Sequence, residues 1–279
     1  MLTRPIPSTG EAMPVIGLGT WRAFDVGTDE ATRQPLREVL RLFLDAGGRI
    51  IDSSPMYGRA EAVTGDLLTE LAARPRAFLA TKVWTTGGER GVEQMRRSAQ
   101  LLRHEVIDLM QIHNLVDWRT HLAGLRRMKE EGRVRYIGIT HYTTGALPEL
   151  ARILAREPGI DFVQLGYSLA TRAAETEVLP VAASRGVAVI ANQPLERGDL
   201  FRRVRVCPLP DWASEFDCDS WAQLFLKYIL AEPAVTCVIP ATGNSRHLKD
   251  NLAATARCAP ASAGPRSVGR RLAGMQGLY

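Results

Sequence analysis

The sequence predicts an α/β chain folded as a (β/α)8 TIM barrel, eight parallel strands closed into a cylinder with helices outside. Three observations carry the expectation. Eight short apolar runs recur along the 279 residues. Amphipathic stretches with apolar spacing near 3.6 lie between them. Glycines stand where helices should stop and strands begin. A barrel of roughly 250 residues is ordinary as one domain, so residues 1–279 are read as one domain. An open doubly wound sheet is the rival architecture, disfavoured because no GxGxxG follows the first strand.

In chain order, the first run lies at about residues 15–20 and the second at about 49–53. The stripe Leu36, Val39, Leu40, Phe43 and Leu44 between them specifies a helix, and Gly47-Gly48 ends it. Further runs fall at about 77–82, 106–112, 135–140, 160–165, 187–192 and 236–240. Gly132, Gly159 and Gly186 precede the fifth, sixth and seventh. Trp221, Leu224, Phe225, Tyr228 and Ile229 form an aromatic-rich stripe read as helix core. Connections are short except at about 195–217, a Pro- and Arg-bearing excursion and the lid candidate. Beyond Arg257 the chain turns Ala/Gly/Pro-rich and basic, with room for one short helix and wide substrate entry.

Composition narrows the class. The net charge of +5 comes from scattered arginines, without the dense run or aromatic interleaving of a nucleic-acid binder, so no nucleic-acid partner is expected. The cluster Arg202, Arg203 and Arg205, with Arg197 upstream, reads either as a solvated loop or as a contact to cofactor phosphates. No apolar run reaches the roughly 18 residues of a membrane span. The start lacks a signal-type segment, which makes cytoplasmic residence the expectation. Cys207, Cys218, Cys237 and Cys258 form no CxxC pair, so free thiols are expected. No oligomeric state follows from spacing.

Asp52 and Tyr57 in IIDSSPMYG, Lys82 in FLATKVW and His113 in LMQIHN each lie at or just beyond the C-terminal end of a run. In a parallel barrel these four share one rim, where such folds place their chemistry. Each has a structural reading when taken alone, as a turn, a cap or loop packing. Lys82 resists it, because only four lysines occur in the chain and this one sits among Phe78, Leu79, Ala80, Val83 and Trp84. A buried ammonium needs a partner, and Asp52 is the natural one. Tyr57 can donate a proton, Lys82 can lower the pKa of the phenol, and His113 can orient a carbonyl oxygen.

With these motifs the chain resembles the aldo-keto reductase superfamily, from about Pro14 to about Ala254. The resemblance rests on GLGTW, IIDSSPMYG, LATKVW, DLMQIHN, GRVRYIGIT and VIPATGNSRHLKDN. It implies reduction of an aldehyde or ketone by NAD(P)H, with Tyr57 as general acid, Asp52 and Lys82 as its tuning pair, and His113 orienting the carbonyl. It also implies an NADP cofactor, NADPH preferred over NADH, held by Gly19, Thr20, Trp21, Thr140, His141, Gln164, Asn192, Gln193, Leu195, Ala241, Thr242, His247, Asp250 and Asn251. Where the family often has lysine and arginine in the last loop, this chain has Ala241 and His247, with Arg246 as a substitute cation. Where a tyrosine usually stacks on the nicotinamide, it has Asn192, which leaves Tyr167 or Trp21 to cover the ring. Trp21, Phe24, Met56, Trp84 and Trp118 follow strand ends and are the pocket candidates for a small-molecule carbonyl substrate.

The sequence admits three other readings. A metal-dependent barrel hydrolase could draw on Asp52, His113 and His141, but no HxH follows the first strand and Lys82 would repel a cation; no metal is expected. The altered cofactor contacts motivate a redox-neutral dehydratase or cyclase on the same barrel. A cofactor-sensing subunit with little turnover is disfavoured by the intact four.

Overall fold

A hairpin that the sequence did not announce starts the chain in the computed structural model, which describes residues 1–255. Strands β1 (Thr3–Pro5) and β2 (Ala12–Pro14) pair antiparallel. Both are three residues long and contain proline, so neither carries the alternating apolar pattern of a strand. Ile6 and Met13 are nevertheless fully buried and join the barrel interior. Glu11 fastens the hairpin beneath the barrel through Arg49 (3.1 Å), Arg135 and the Tyr136 hydroxyl (2.7 Å).

The eight expected strands follow: β3 (Leu18–Gly19), β4 (Ile50–Asp52), β5 (Phe78–Val83), β6 (Ile107–His113), β7 (Val134–His141), β8 (Phe162–Gly166), β9 (Ala188–Asn192) and β10 (Val235–Val238). Each pairs in parallel with its neighbour in sequence. The first run is far shorter as a strand than the expected 15–20. Its flanks still close the cylinder, since the Gly17 N–H donates to Val238 O (2.8 Å), the Val238 N–H to Val15 O (2.9 Å) and the Gly19 N–H to Pro240 O (3.1 Å).

Around this wall stand α1 (Glu30–Asp45), α2 (Ala60–Glu70), α3 (Gly88–Leu101), α4 (Trp118–Glu130), α5 (Leu147–Arg156), α6 (Ala174–Glu177), α7 (Leu179–Arg185), α8 (Asp199–Arg203), α9 (Trp221–Leu230) and α10 (Ser245–Ala253). The predicted α1 stripe is its buried face. In α9 every residue from Ala222 to Leu230 is buried, so this helix is enclosed rather than striped.

Side chains of a strand alternate between faces, and the period of two sorts the interior into layers. Phe78, Tyr136 and Phe162 meet low in the barrel, ring centroids 5.5 to 6.2 Å apart, with Ile50, Leu109, Ala188 and Cys237. Two and four residues further along the same strands, the inward positions become Asp52, Lys82, Gln111, His113, Thr140 and Gln164. An apolar plug thus supports a polar layer at the C-terminal ends. Cys207, Cys218 and Cys237 are free thiols; Cys258 and the tail from about 257 lie outside the described residues. No described helix is long and apolar enough to cross a membrane.

Candidate active site

Asp52 ends β4 and Lys82 sits in β5, in adjacent strands and on the same inward face. Their side chains are 3% and 1% exposed, and Lys82 Nζ donates to Asp52 Oδ2 at 2.7 Å. The ammonium also donates to Ser53 O at 2.7 Å. The other carboxylate oxygen accepts from Gln111 Nε2 (3.1 Å) and Gln164 Nε2 (2.8 Å), so both buried charges are satisfied. Burial, the largest single effect, pushes the Lys82 pKa down; the charges of Asp52 and Tyr57 and the hydrogen bonds to both together outweigh it and hold the ammonium above its ordinary value.

Tyr57 follows β4 on a turn fixed by Gly58, whose φ of 60° is in the left-handed region. A Cβ there would lie 2.3 Å from Asp25 Oδ1, the atom that accepts from the Arg59 N–H at 2.9 Å. The turn holds the phenol over Lys82, with Nζ 5.1 Å from the ring centroid. Burial raises the Tyr57 pKa, Lys82 opposes it by charge and hydrogen bond, and Asp52 adds to the rise, so the phenol lies above its ordinary value. The sequence expectation had the net sign reversed. Lys82 acts in the foreseen direction, but loss of water around the phenol is the larger effect.

His113 ends β6 beside Tyr57, ring centroids 6.1 Å apart and nearly perpendicular. Burial, then the Lys82 and His141 charges, lower its pKa to about 3, leaving a neutral imidazole at pH 7. Its Nδ1 lies 3.0 Å from Ser54 Oγ.

These groups floor a cleft of about 850 Å³ that runs across the barrel mouth to α10. Of the sequence candidates, Gly19, Thr20, Trp21, Thr140, Gln164, Asn192, Gln193, Leu195, Ala241, Thr242, His247, Asp250 and Asn251 line it together. His141 does not. Thr140 points inward on β7, so the next side chain faces away, where it stacks on Tyr142. Trp21 and Met56 of the pocket candidates line the cleft. Phe24 is fully buried in the core, Trp118 packs half-buried against the outer core, and Trp84 stands 42% exposed at the rim, 6.5 Å from His113. Of the two aromatics expected to cover the ring, Tyr167 is buried with its hydroxyl on Glu175 (2.9 Å), away from the cleft, whereas Trp21 lines it.

The basic loop divides. Arg202 and Arg203 pair with Asp199 on α8. Arg197 instead lies over the rings of Trp21 (4.8 Å) and Tyr142 (5.8 Å) at the mouth, with no ion pair among the described residues. Tyr142, Asn114 and Phe201 also line the cleft and were missed. Tyr142 and Asn114 each sit one residue past a strand end, the signal that would have found them. Asp250 is held by Ser220 (2.9 Å) and Gln223 (2.7 Å). No cluster of His, Cys, Asp or Glu among the described residues could hold a metal ion.

The family model for the aldo/keto reductase family matches residues 15–261. Methylglyoxal reductase YeaE of Escherichia coli (strain K12) is 26% identical over 253 residues, covering 87% of this chain and 85% of that protein. The 9,11-endoperoxide prostaglandin H2 reductase of Trypanosoma cruzi is 28% identical over 247 residues, 86% of this chain and 81% of that protein. The crystal structure of an aldo-keto reductase from Klebsiella pneumoniae in complex with NADPH superposes with a TM-score of 0.79 at 26% identity, covering 98% of this chain and 95% of that one. The match takes in every barrel strand together with the cleft at their ends, and the chain belongs to the aldo/keto reductase family of oxidoreductases.

Proposed function

We propose that the protein reduces an aldehyde or ketone to an alcohol with NADPH, Tyr57 giving the proton to the carbonyl oxygen. The observation that carries this is the buried Lys82 ammonium, held by Asp52 and Ser53 O beneath the Tyr57 ring and hydrogen-bonded to the phenol. Burial keeps the proton on the phenol at rest. When the proton leaves, the phenolate forms against a cation that is already in place, at no cost of reorganisation. Neutral His113 can donate one N–H to the same carbonyl oxygen, and a preorganised donor of this kind is worth about 3 kcal/mol.

The cleft suits a dinucleotide. Gln164 and Asn192 line the same cleft as Tyr57 as an amide pair, and Asn192 Oδ1 is buried without a hydrogen-bond partner among the described residues. Arg197, with no ion pair among the described residues, is a cation at the mouth fitted to the diphosphate. The far end reaches Thr242 and His247 beside the N-terminus of α10, whose free N–H groups favour an anion. NADPH bound to the Klebsiella relative supports the phosphorylated cofactor. When bound, the reduced nicotinamide supplies the hydride. Similarity to a methylglyoxal reductase supports small aldehydes as the first substrates to try.

The test is loss of reduced-nicotinamide absorbance in step with carbonyl loss, for wild type and Tyr57→Phe. The variant should bind NADPH normally and lose at least about a hundredfold in kcat. Near-normal turnover by Tyr57→Phe would sink the role of the phenol.

A further inference from the structure

Ser54 is fully buried, and its place in IIDSSPMYG gives it no part in the chemistry described so far. Its hydroxyl has two neighbours among the described residues. The Met56 N–H donates to it at 3.4 Å, and His113 Nδ1 lies 3.0 Å away. The backbone donor can fill only a lone pair, so the hydroxyl proton has one acceptor within reach, the Nδ1 lone pair.

We propose that Ser54 is a positioning residue that selects the tautomer of His113, donating to Nδ1 so that the ring's single proton stays on Nε2 and faces the cleft. This rests on the assignment of His113 as the donor to the carbonyl oxygen. With the proton on Nδ1 instead, the ring would donate to Ser54, the buried hydroxyl proton would be stranded, and Nε2 would present a lone pair to the substrate oxygen. Stranding a buried donor shifts such an equilibrium by about tenfold or more. The hydroxyl also fixes the ring plane, as an orienting partner does for other catalytic histidines.

The experiment is nitrogen–proton correlation NMR of the His113 ring in the substrate-free protein with NADP+ bound, for wild type, Ser54→Ala and Ser54→Thr, alongside kcat and KM with methylglyoxal. Wild type should show one tautomer, protonated at Nε2. Ser54→Ala should show a measurable Nδ1–H population and a kcat lowered about tenfold with KM little changed. Ser54→Thr, which keeps the hydroxyl, should restore both the nitrogen pattern and most of kcat. A wild-type ring protonated at Nδ1, or a Ser54→Ala ring with the wild-type pattern, would overturn the inference. A changed pattern with unchanged kcat would instead overturn the assignment of His113 as carbonyl donor.

Discussion

Replacing Asp52 by Asn tests the buried pair at the centre of the site. The substitution keeps shape and keeps an oxygen for Gln111 and Gln164, so the new amide group turns its N–H bonds toward the Lys82 ammonium. At 2.7 Å and an effective dielectric constant of about 20, the lost attraction is about 6 kcal/mol. Part of that is offset by the desolvation the carboxylate no longer suffers, and a broken buried pair costs about 3–5 kcal/mol net. Lys82 keeps its bond to Ser53 O, which favours the lower figure, about 3 kcal/mol. Spread over the unfolding entropy of a chain this size, that lowers Tm by about 5 °C. The assay is calorimetry at pH 7 on wild type, Asp52→Asn, Lys82→Met and the double variant. The double variant should be more stable than Asp52→Asn, because no lone charge remains.

The pH dependence supplies an independent sign. In wild type the Lys82 pKa is raised, so its stabilisation is complete below the ordinary value of 10.5 and fades only as pH rises through the higher folded value. In Asp52→Asn, burial is opposed by Tyr57 without the Asp52 charge and depresses that pKa, so stability should climb as pH rises toward 10.5. A single variant as stable as wild type, or a double variant no better than Asp52→Asn, would refute the reasoning.

Three further outcomes are expected. His113 titrates at about 3, so kcat should show no histidine inflection between about pH 5 and 8; because that value is depressed from 6.5, stability should fall with pH below 6.5 and continue to fall through the folded value, a loss that His113→Asn should reduce in acid unfolding curves. Gly58→Ala meets both a left-handed backbone and the Asp25 carboxylate, so Tm should drop and kcat with it, while Asp25→Ala in the same chain should recover part of the Tm but not the share, about 1 kcal/mol, set by φ. Arg197→Ala should weaken NADPH about tenfold in fluorescence titration and flatten its salt dependence, whereas Arg203→Ala, already paired with Asp199, should change neither.

The barrel was legible because a strand buried on both faces reads as a continuous apolar run, and eight such runs alternate with helical stripes. Asp52, Lys82 and His113 were legible for a related reason, as polar groups interrupting or ending those runs. What the pattern could not show was decided by packing across strands. The hairpin β1–β2 has too few residues for any period, and only Ile6 and Met13 meeting the barrel floor reveal it. Phe24 and Trp118 follow strand ends as Trp21 does, yet Phe24 turns into the core and Trp118, at the start of α4, packs half-buried against it. His141 fails as a cleft residue by one step of the two-residue alternation. The sign of the Tyr57 shift needed the depth of burial, which no spacing encodes. Arg197 is distinguished from Arg202 and Arg203 only by Asp199, which captures the latter two.

The plug formed by Ile6, Met13 and the ring triad of Phe78, Tyr136 and Phe162 makes the cylinder a blind well, open at one end only. A guest lying across the opening would cork it and cut Tyr57, and Lys82 beneath it, off from bulk water on that side. Under the proposed role of Tyr57, the phenol would be recharged before the cork was seated, which would couple the replenishment of the acid to the departure of the previous occupant.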